Sequence, residues 1–301
     1  MNTDQPAKWQ KLTVTPKEVM TKLEPGMNIF LGTGVGEPRT LVKQLMADHS
    51  SNLKDLELVQ LVSLGDAISV EALNSNAYRL KTFYSGWVAS EAITAGRVDL
   101  IPSSFSRIPQ LIESGRIPID VAFVQITPPS RAGYCSLGVA VDVGRQAMEK
   151  ASLVVGEINP DIPITQGDTF VPLSDFDFLV RSTEKPIYFD RWPVDPVFDR
   201  VAANVASVIE DGSCLAFSIG PLFEALSRHL VRKRHLGIHT PFFTDALMDL
   251  VKSGAVTNRY KEIFRGKSLT CYAFGSPELM RWLNRNPLVE FQGIDKVFTP
   301  A

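Results

Sequence analysis

Apolar residues along the chain fall into short unbroken runs that alternate with stretches whose apolar positions recur every three to four residues. A short run closed by glycine or polar residues reads as a buried strand. The 3.6-residue spacing reads as an amphipathic helix. In the first half, Met27–Leu31, Leu56–Val62, Ile119–Ile126 and Leu153–Ile158 read as strands. Pro38–His49 reads as a helix with Leu41, Val42, Leu45 and Met46 on one face, and Asp142–Lys150 as a shorter one. Three prolines in Pro186–Pro196 interrupt the pattern, as expected of a crossing between domains. The rhythm then restarts. Val197–Ile209 reads as a helix with Val197, Val201, Ala202, Val205 and Val208 on one face, Ser213–Phe217 as a strand, Leu222–Arg232 and Phe243–Lys252 as helices, and Leu269–Phe274 as a strand. This alternation predicts an α/β fold: two α/β domains, residues 1–190 and 191–301, with mainly parallel sheets covered by helices.

Composition narrows the classes. The 301 residues include 31 basic and 33 acidic side chains, a formal net charge of −2, and 45% are hydrophobic. That is too apolar for a disordered chain and too weakly basic to advertise a nucleic-acid surface. Three cysteines cannot form a disulfide framework without one left over, which points to a reducing compartment. MNTDQPAKWQKL lacks the apolar core of a signal peptide, and no run reaches the ~18 apolar residues of a membrane span. A cytoplasmic protein with no nucleic-acid or membrane partner is expected.

The first segment with chemical potential is Gly32-Thr33-Gly34-Val35-Gly36-Glu37-Pro38, between a strand and a helix. Clustered glycines let backbone approach a ligand, and a helix start favours an anion; a tight strand-to-helix turn without a ligand is the plain alternative. Glu37 occupies the last glycine position of a dinucleotide fingerprint, and no Gly-Lys-Ser/Thr follows, so neither phosphate motif is present. Thr127–Gly138 is a long segment at a strand's carboxyl end, where open α/β sheets bind ligands. Glu157 ends an apolar run and so needs a partner or an altered pKa, either as a functional carboxylate or through a structural salt bridge or helix-cap contact. His229, His235 and His239 lack metal-site spacing and sit among basic residues, so no metal is expected. The Arg228–Arg234 cluster reads as a solvated helix end or as a counter-charge for a phosphate-bearing ligand.

Taken together and in order, these segments resemble the acetyl-CoA hydrolase/transferase family, which includes 4-hydroxybutyrate CoA-transferases. The likeness is carried by Gly34-Val35-Gly36-Glu37-Pro38, by Asp120–Gly138 with Gln125, Pro128, Gly133-Tyr134 and Ser136-Leu137-Gly138, and by Val155-Gly156-Glu157-Ile158-Asn159-Pro160. In the second half it is carried by Leu236-Gly237-Ile238-His239-Thr240, Asp245, Asp249-Leu250, Gly254, Thr257-Asn258, Gly275-Ser276 and Asn286-Pro287. The resemblance implies acyl-CoA as substrate, a small carboxylic acid as acceptor, and no metal. Family members attack the thioester with a glutamate carboxylate, passing through a mixed anhydride and a glutamyl-CoA thioester, with glycine-loop N–H groups as oxyanion donors. It implies Gly34, Val35, Gly36, Glu37, Gln125, Gly133, Tyr134, Ser136, Gly138, Ser218, Gly220 and Thr240 as substrate- or CoA-binding residues.

The departures fall in the second half. The family's nucleophile position is Pro241, and its Gln-x-Gly-Ile-Gly strand reads Ala216-Phe217-Ser218-Ile219-Gly220. Family members continue beyond position 301, so the second domain is expected to be incomplete relative to them. Asp245 and His239 are the candidate catalytic residues that remain, with Glu37 and Glu157 as further carboxylates; an ordinary helix-start or cap residue is the plain alternative for Asp245. Three readings stay open: one part of a transferase or hydrolase whose other catalytic parts lie elsewhere, altered acyl-CoA chemistry on another carboxylate, or a non-catalytic binding or assembly subunit. A homo-oligomer or a second subunit is expected.

Overall fold

A computed structural model describes residues 8–64, 68, 78–84, 93–96 and 98–298. The first seven residues, read above for a leader, lie outside the described residues. The chain divides into two compact units. One comprises Met1–Ile162 and Phe170–Ile187, the other Pro163–Thr169 and Tyr188–Ala301.

The strands of the first stretch are β1 (Asn28–Leu31), β2 (Leu56–Gln60), β3 (Tyr78–Thr82), β4 (Val98–Leu100), β5 (Val121–Ile126), β6 (Tyr134–Ser136) and β7 (Leu153–Ile158). Then come β8 (Gln166–Gly167), which belongs to the second unit, β9 (Phe170–Pro172) and β10 (Phe178–Arg181). Seven of them form one parallel sheet in the order β10-β7-β5-β1-β2-β3-β4. All six residues of β5 are buried, as a central strand covered on both faces requires. Each such Val, Ile or Phe contributes about 1.5–3 kcal/mol of burial. The helices here are α1 (Pro16–Met20), α2 (Arg39–Ala47), α3 (Ile108–Glu113) and α4 (Gly144–Lys150). Leu41, Val42 and Leu45 of α2 are fully buried in the same cluster as Ile29 and Leu31 of β1.

Strand order fixes where a ligand would sit. From β1 the chain runs outward through β2, β3 and β4, then returns to β5 and runs the other way through β7 and β10. The direction reverses between the neighbours β1 and β5. In open α/β sheets the crevice beyond the carboxyl ends at such a reversal holds the ligand. The segments that leave those two ends are Gly32–Pro38 and Thr127–Gly138.

The second unit holds shorter parallel ladders: β11 (Cys214–Leu215) with β12 (Gly237–Ile238), β13 (Phe242–Thr244) with β15 (Tyr272–Phe274), and β14 (Ser268–Thr270) with β16 (Val289–Phe291) and β8. Its helices are α5 (Pro196–Val208), α6 (Pro221–Leu230), α7 (Asp245–Lys252), α8 (Pro277–Leu283) and α9 (Ile294–Val297). Three sequence expectations change here. Phe242–Thr244 is a strand and α7 begins only at Asp245, because a short aromatic run suits a buried strand as well as a first helical turn. Leu269–Phe274 is two strands that change partner at Cys271, β14 pairing with β16 and β15 with β13. In α5 the buried positions are Ala202 and Ala206, whereas Val197, Val201 and Val208 are exposed. α5 packs against α6, and small buried residues allow a close helix approach.

Candidate functional site

The loop at the sheet's reversal point is buried from Gly32 to Pro38. Its N–H groups are largely spent within the protein. Gly32 donates to the Phe123 carbonyl (2.8 Å), Gly34 to Val62 (2.9 Å), Gly36 to Thr33 (2.8 Å) and Glu37 to Gly34 (3.2 Å). In this conformation the Gly34, Gly36 and Glu37 N–H groups are engaged within the protein. The glycines have packing reasons of their own. Gly34 adopts a φ of 56°, and a Cβ on Gly36 would stand 2.6 Å from the Cβ of Ala140. The segment after Gly138 therefore packs directly on the loop.

Behind the loop, β5 and β7 present Gln125 and Glu157 side by side in register. Gln125 Nε2 donates to the Val35 carbonyl (3.2 Å), and its Oε1 accepts from Asn159 Nδ2 (2.9 Å). Glu157 is fully buried and faces the start of α2. Its carboxyl oxygens accept the Thr40 N–H (3.2 Å) and the Leu41 N–H (2.9 Å), and Ser182 Oγ lies 2.7 Å away. Burial pushes the Glu157 carboxyl above its ordinary value, against these hydrogen bonds, which favour the charged form. Glu37, also buried, accepts from Gln60 Nε2 (2.9 Å). Thr33 Oγ1, Gln60 Oε1 and Ser63 Oγ are buried without a hydrogen-bond partner among the described residues. Buried polar atoms of this kind call for water or a ligand group.

The rest of Thr127–Gly138 is more ordered than a loop. Thr127 N–H donates to the Ser136 carbonyl and Thr127 Oγ1 accepts the Ser136 N–H, both at 2.9 Å, and β6 pairs antiparallel with β9. Ser136 is buried and its Oγ accepts the Gly138 N–H (3.1 Å), while Gly133 lies in the turn and Tyr134, half exposed, opens β6.

In the second unit, Thr240 Oγ1 donates to the Phe217 carbonyl (2.6 Å) and accepts the Phe217 N–H (2.9 Å). This fixes the segment carrying exposed Ser218 and half-buried Gly220, the latter at φ 123° ahead of α6. Pro241 offers no side-chain chemistry. Its carbonyl accepts from the Tyr272 N–H (3.0 Å), Thr270 Oγ1 (3.1 Å) and Cys271 Sγ (3.3 Å). His239 Nε2 donates to the Val297 carbonyl (3.0 Å), and burial holds the ring below the ordinary histidine value. Asp245, at the first turn of α7, is buried and turned to the start of α8. Its Oδ2 accepts the Ser276 N–H (2.9 Å) and its Oδ1 the Ser276 hydroxyl. A Cβ on Gly275 would run into Asp245 Oδ2. His229 pairs with Asp199 and His235 lies against the Tyr260 ring. Among the described residues no group of three or more His, Cys, Asp or Glu is placed to hold a metal ion. Nor is any helix of the described residues long and apolar enough to cross a membrane.

Comparison with known proteins decides the lineage. Residues 1–189 match the acetyl-CoA hydrolase/transferase N-terminal domain. The chain belongs to the acetyl-CoA hydrolase/transferase family. It is 32% identical over 292 residues to the 4-hydroxybutyrate coenzyme A transferase of Clostridium kluyveri, covering 97% of this chain and 68% of that protein. It is 31% identical to the succinyl-CoA:acetate/propanoyl-CoA:succinate CoA transferase of Fasciola hepatica, covering 98% of this chain and 62% of that one. Among solved structures, RipA from Yersinia pestis superposes with a TM-score of 0.91 at 26% identity, over 98% of this chain and 71% of that chain. The 4-hydroxybutyrate CoA-transferase of Porphyromonas gingivalis gives 0.80 at 27%, over 96% of this chain and 70% of that one. These neighbours share the mixed α/β architecture with its large parallel sheet flanked by helices.

Within the first unit of this family member, the loop Gly34–Glu37 and Gln125 come together as one buried network. Sequence reasoning missed Thr40, Gln60 and Ser182, and it singled out Ser276 only as part of the likeness, with no role. A clue for Thr40 and Ser182 was present in the chain: Pro38 precedes α2 without a side-chain acceptor, so the first N–H groups of the helix need acceptors from elsewhere, and Glu157 ends an apolar run with no local donor.

Proposed function

We propose that this chain acts on acyl-CoA thioesters, in CoA transfer to a small carboxylic acid or in acyl-CoA hydrolysis, with the attacking carboxylate supplied from outside residues 1–301 by a larger assembly. The similarity to named CoA transferases over nearly the whole chain supports the ligand class. One observation carries the shared-site reading. At the position where the resemblance places the nucleophile stands Pro241, and the nearby Asp245 is bound to Ser276. Glu157 likewise holds the start of α2, and Glu37 holds Gln60. The buried hydroxyls of Thr33 and Ser63 at the reversal point support a polar group bound there. The same carboxylate engagement favours a second reading, a non-catalytic subunit that binds acyl-CoA and completes a partner's site.

Co-purification from the native source separates the two. Steady-state CoA exchange between acetyl-CoA and a free carboxylate, dependent on this chain, supports the first reading; binding without a role in exchange supports the second. Pro241→Glu is a further check. If the side chain at 241 is the sole deficit, the isolated variant gains measurable exchange; no gain assigns the deficit to Ala216 and Ser218 or to the third of the relatives' length that this chain does not match.

A further inference from the structure

Helix α2 begins without a cap of its own, because its N-cap residue, Pro38, has no side-chain acceptor. The acceptor comes from 117 and 116 residues downstream, where Glu157 receives the Thr40 and Leu41 N–H groups. The same turn is tied again from the segment after β10. Thr40 Oγ1 accepts the Thr183 N–H (2.9 Å), Lys43 Nζ meets Glu184 (2.8 Å), and Arg39 donates to the Lys185 carbonyl (2.8 Å). The loop ahead of α2 is short and its front is held by Phe123, Val62 and Gln125. Its remaining freedom is therefore set by where α2 starts.

We propose that Glu157 is a positioning residue: by holding the first turn of α2 it sets the conformation of Gly34–Gly36, and through that loop the affinity for acyl-CoA. The loop part stands on the geometry alone. The affinity part rests on the function proposed above. The side chain makes no contact with the reacting atoms in this account; it acts through Thr40 and Leu41.

The test compares Glu157→Ala with Val98→Ala, a buried truncation in β4 at the opposite edge of the sheet. Both are made in the full chain with whatever co-purifies. Amide hydrogen exchange is read by peptide mass spectrometry, and acetyl-CoA binding by calorimetry. Loss of a cap predicts exchange faster by about five- to tenfold confined to residues 33–41, with acetyl-CoA affinity weakened by a similar factor. Val98→Ala leaves both unchanged at residues 33–41 while lowering the melting temperature. Unchanged protection of 33–41 in Glu157→Ala, or a uniform loss matching that of Val98→Ala, overturns the proposal. If the wild type binds no acetyl-CoA, the ligand assignment fails, and the exchange contrast still decides the positioning role.

Discussion

A buried carboxyl group in a sheet of apolar strands is costly unless every lone pair and proton is placed. Glu157 comes close to that condition through its hydrogen bonds to Thr40, Leu41 and Ser182. Ser182 Oγ carries one proton and lies 2.7 Å from Glu157 and 3.0 Å from the Glu184 carbonyl. Its proton can go to Glu157 or to the Glu184 carbonyl, and the two N–H groups of α2 have the Glu157 oxygens as acceptors. Burial raises the carboxyl above its ordinary 4.5. The folded protein then keeps a proton that the unfolded chain has already released. This group's contribution to stability is fully present below 4.5 and is lost as pH rises through the folded value. Unfolding free energies measured by urea titration should show the wild type losing stability relative to Glu157→Gln as pH climbs; a pH-independent difference would contradict it. Lys261 gives an opposite sign. Its Nζ donates to the Ile238 and Lys267 carbonyls, and burial lowers it from 10.5 to about 8. Lys261→Met should remove a rise in stability between about 8 and 10.5. At Gly36, replacement by Ala should cost about 1–3 kcal/mol by overpacking against Ala140. Adding Ala140→Gly should recover most of that loss in the same denaturation assay. The sequence showed that Glu157 needed a partner. The identity of that partner depends on tertiary contacts across more than a hundred residues, which no local pattern encodes.

Among elements, the central strands and α2 were legible because long periodic or unbroken apolar runs determine them. Short elements were not. Phe242–Thr244 is held as a strand by its ladder to Tyr272–Phe274, and Thr240 locks the preceding turn to Phe217. Neither partner is readable from the segment itself. Thr240→Val removes both the donor and the acceptor for Phe217 and leaves two buried backbone groups unpaired. A destabilisation of about 1–3 kcal/mol is expected, and a change under half of that would show that the turn holds without the clamp. Asp245 joins two helices, starting α7 and binding the N-cap residue of α8. Asp245→Asn keeps the shape while replacing one acceptor oxygen by a donor. If the carboxylate's work is this joint, thermal melting should drop clearly in Asp245→Asn. An unchanged melt would instead free Asp245 for chemistry.

Across the whole molecule, colinear motifs made the family visible from sequence, and the large parallel sheet agrees with its structural neighbours. Motif matching did not foresee that the shared residues of the first unit mostly bind one another. Glycines at 34 and 36 read equally as ligand approach or as close packing, and only the position of Ala140 separates the two. With a net charge of −2, the chain offers no general positive field for an anionic CoA, so local groups or a partner would have to hold it. The chain spans 62% to 68% of the curated relatives described above. The function proposed above, thioester chemistry with a carboxylate from outside residues 1–301, is open to a direct test. The most direct test is to treat the protein, purified from its native source with its associated polypeptides, with acetyl-CoA and to map any hydroxylamine-sensitive CoA adduct by mass spectrometry. The account predicts the adduct on a glutamate outside residues 1–301. An adduct on Asp245, Glu157, Glu37 or any other carboxylate of this chain, or no adduct on any polypeptide, would contradict it.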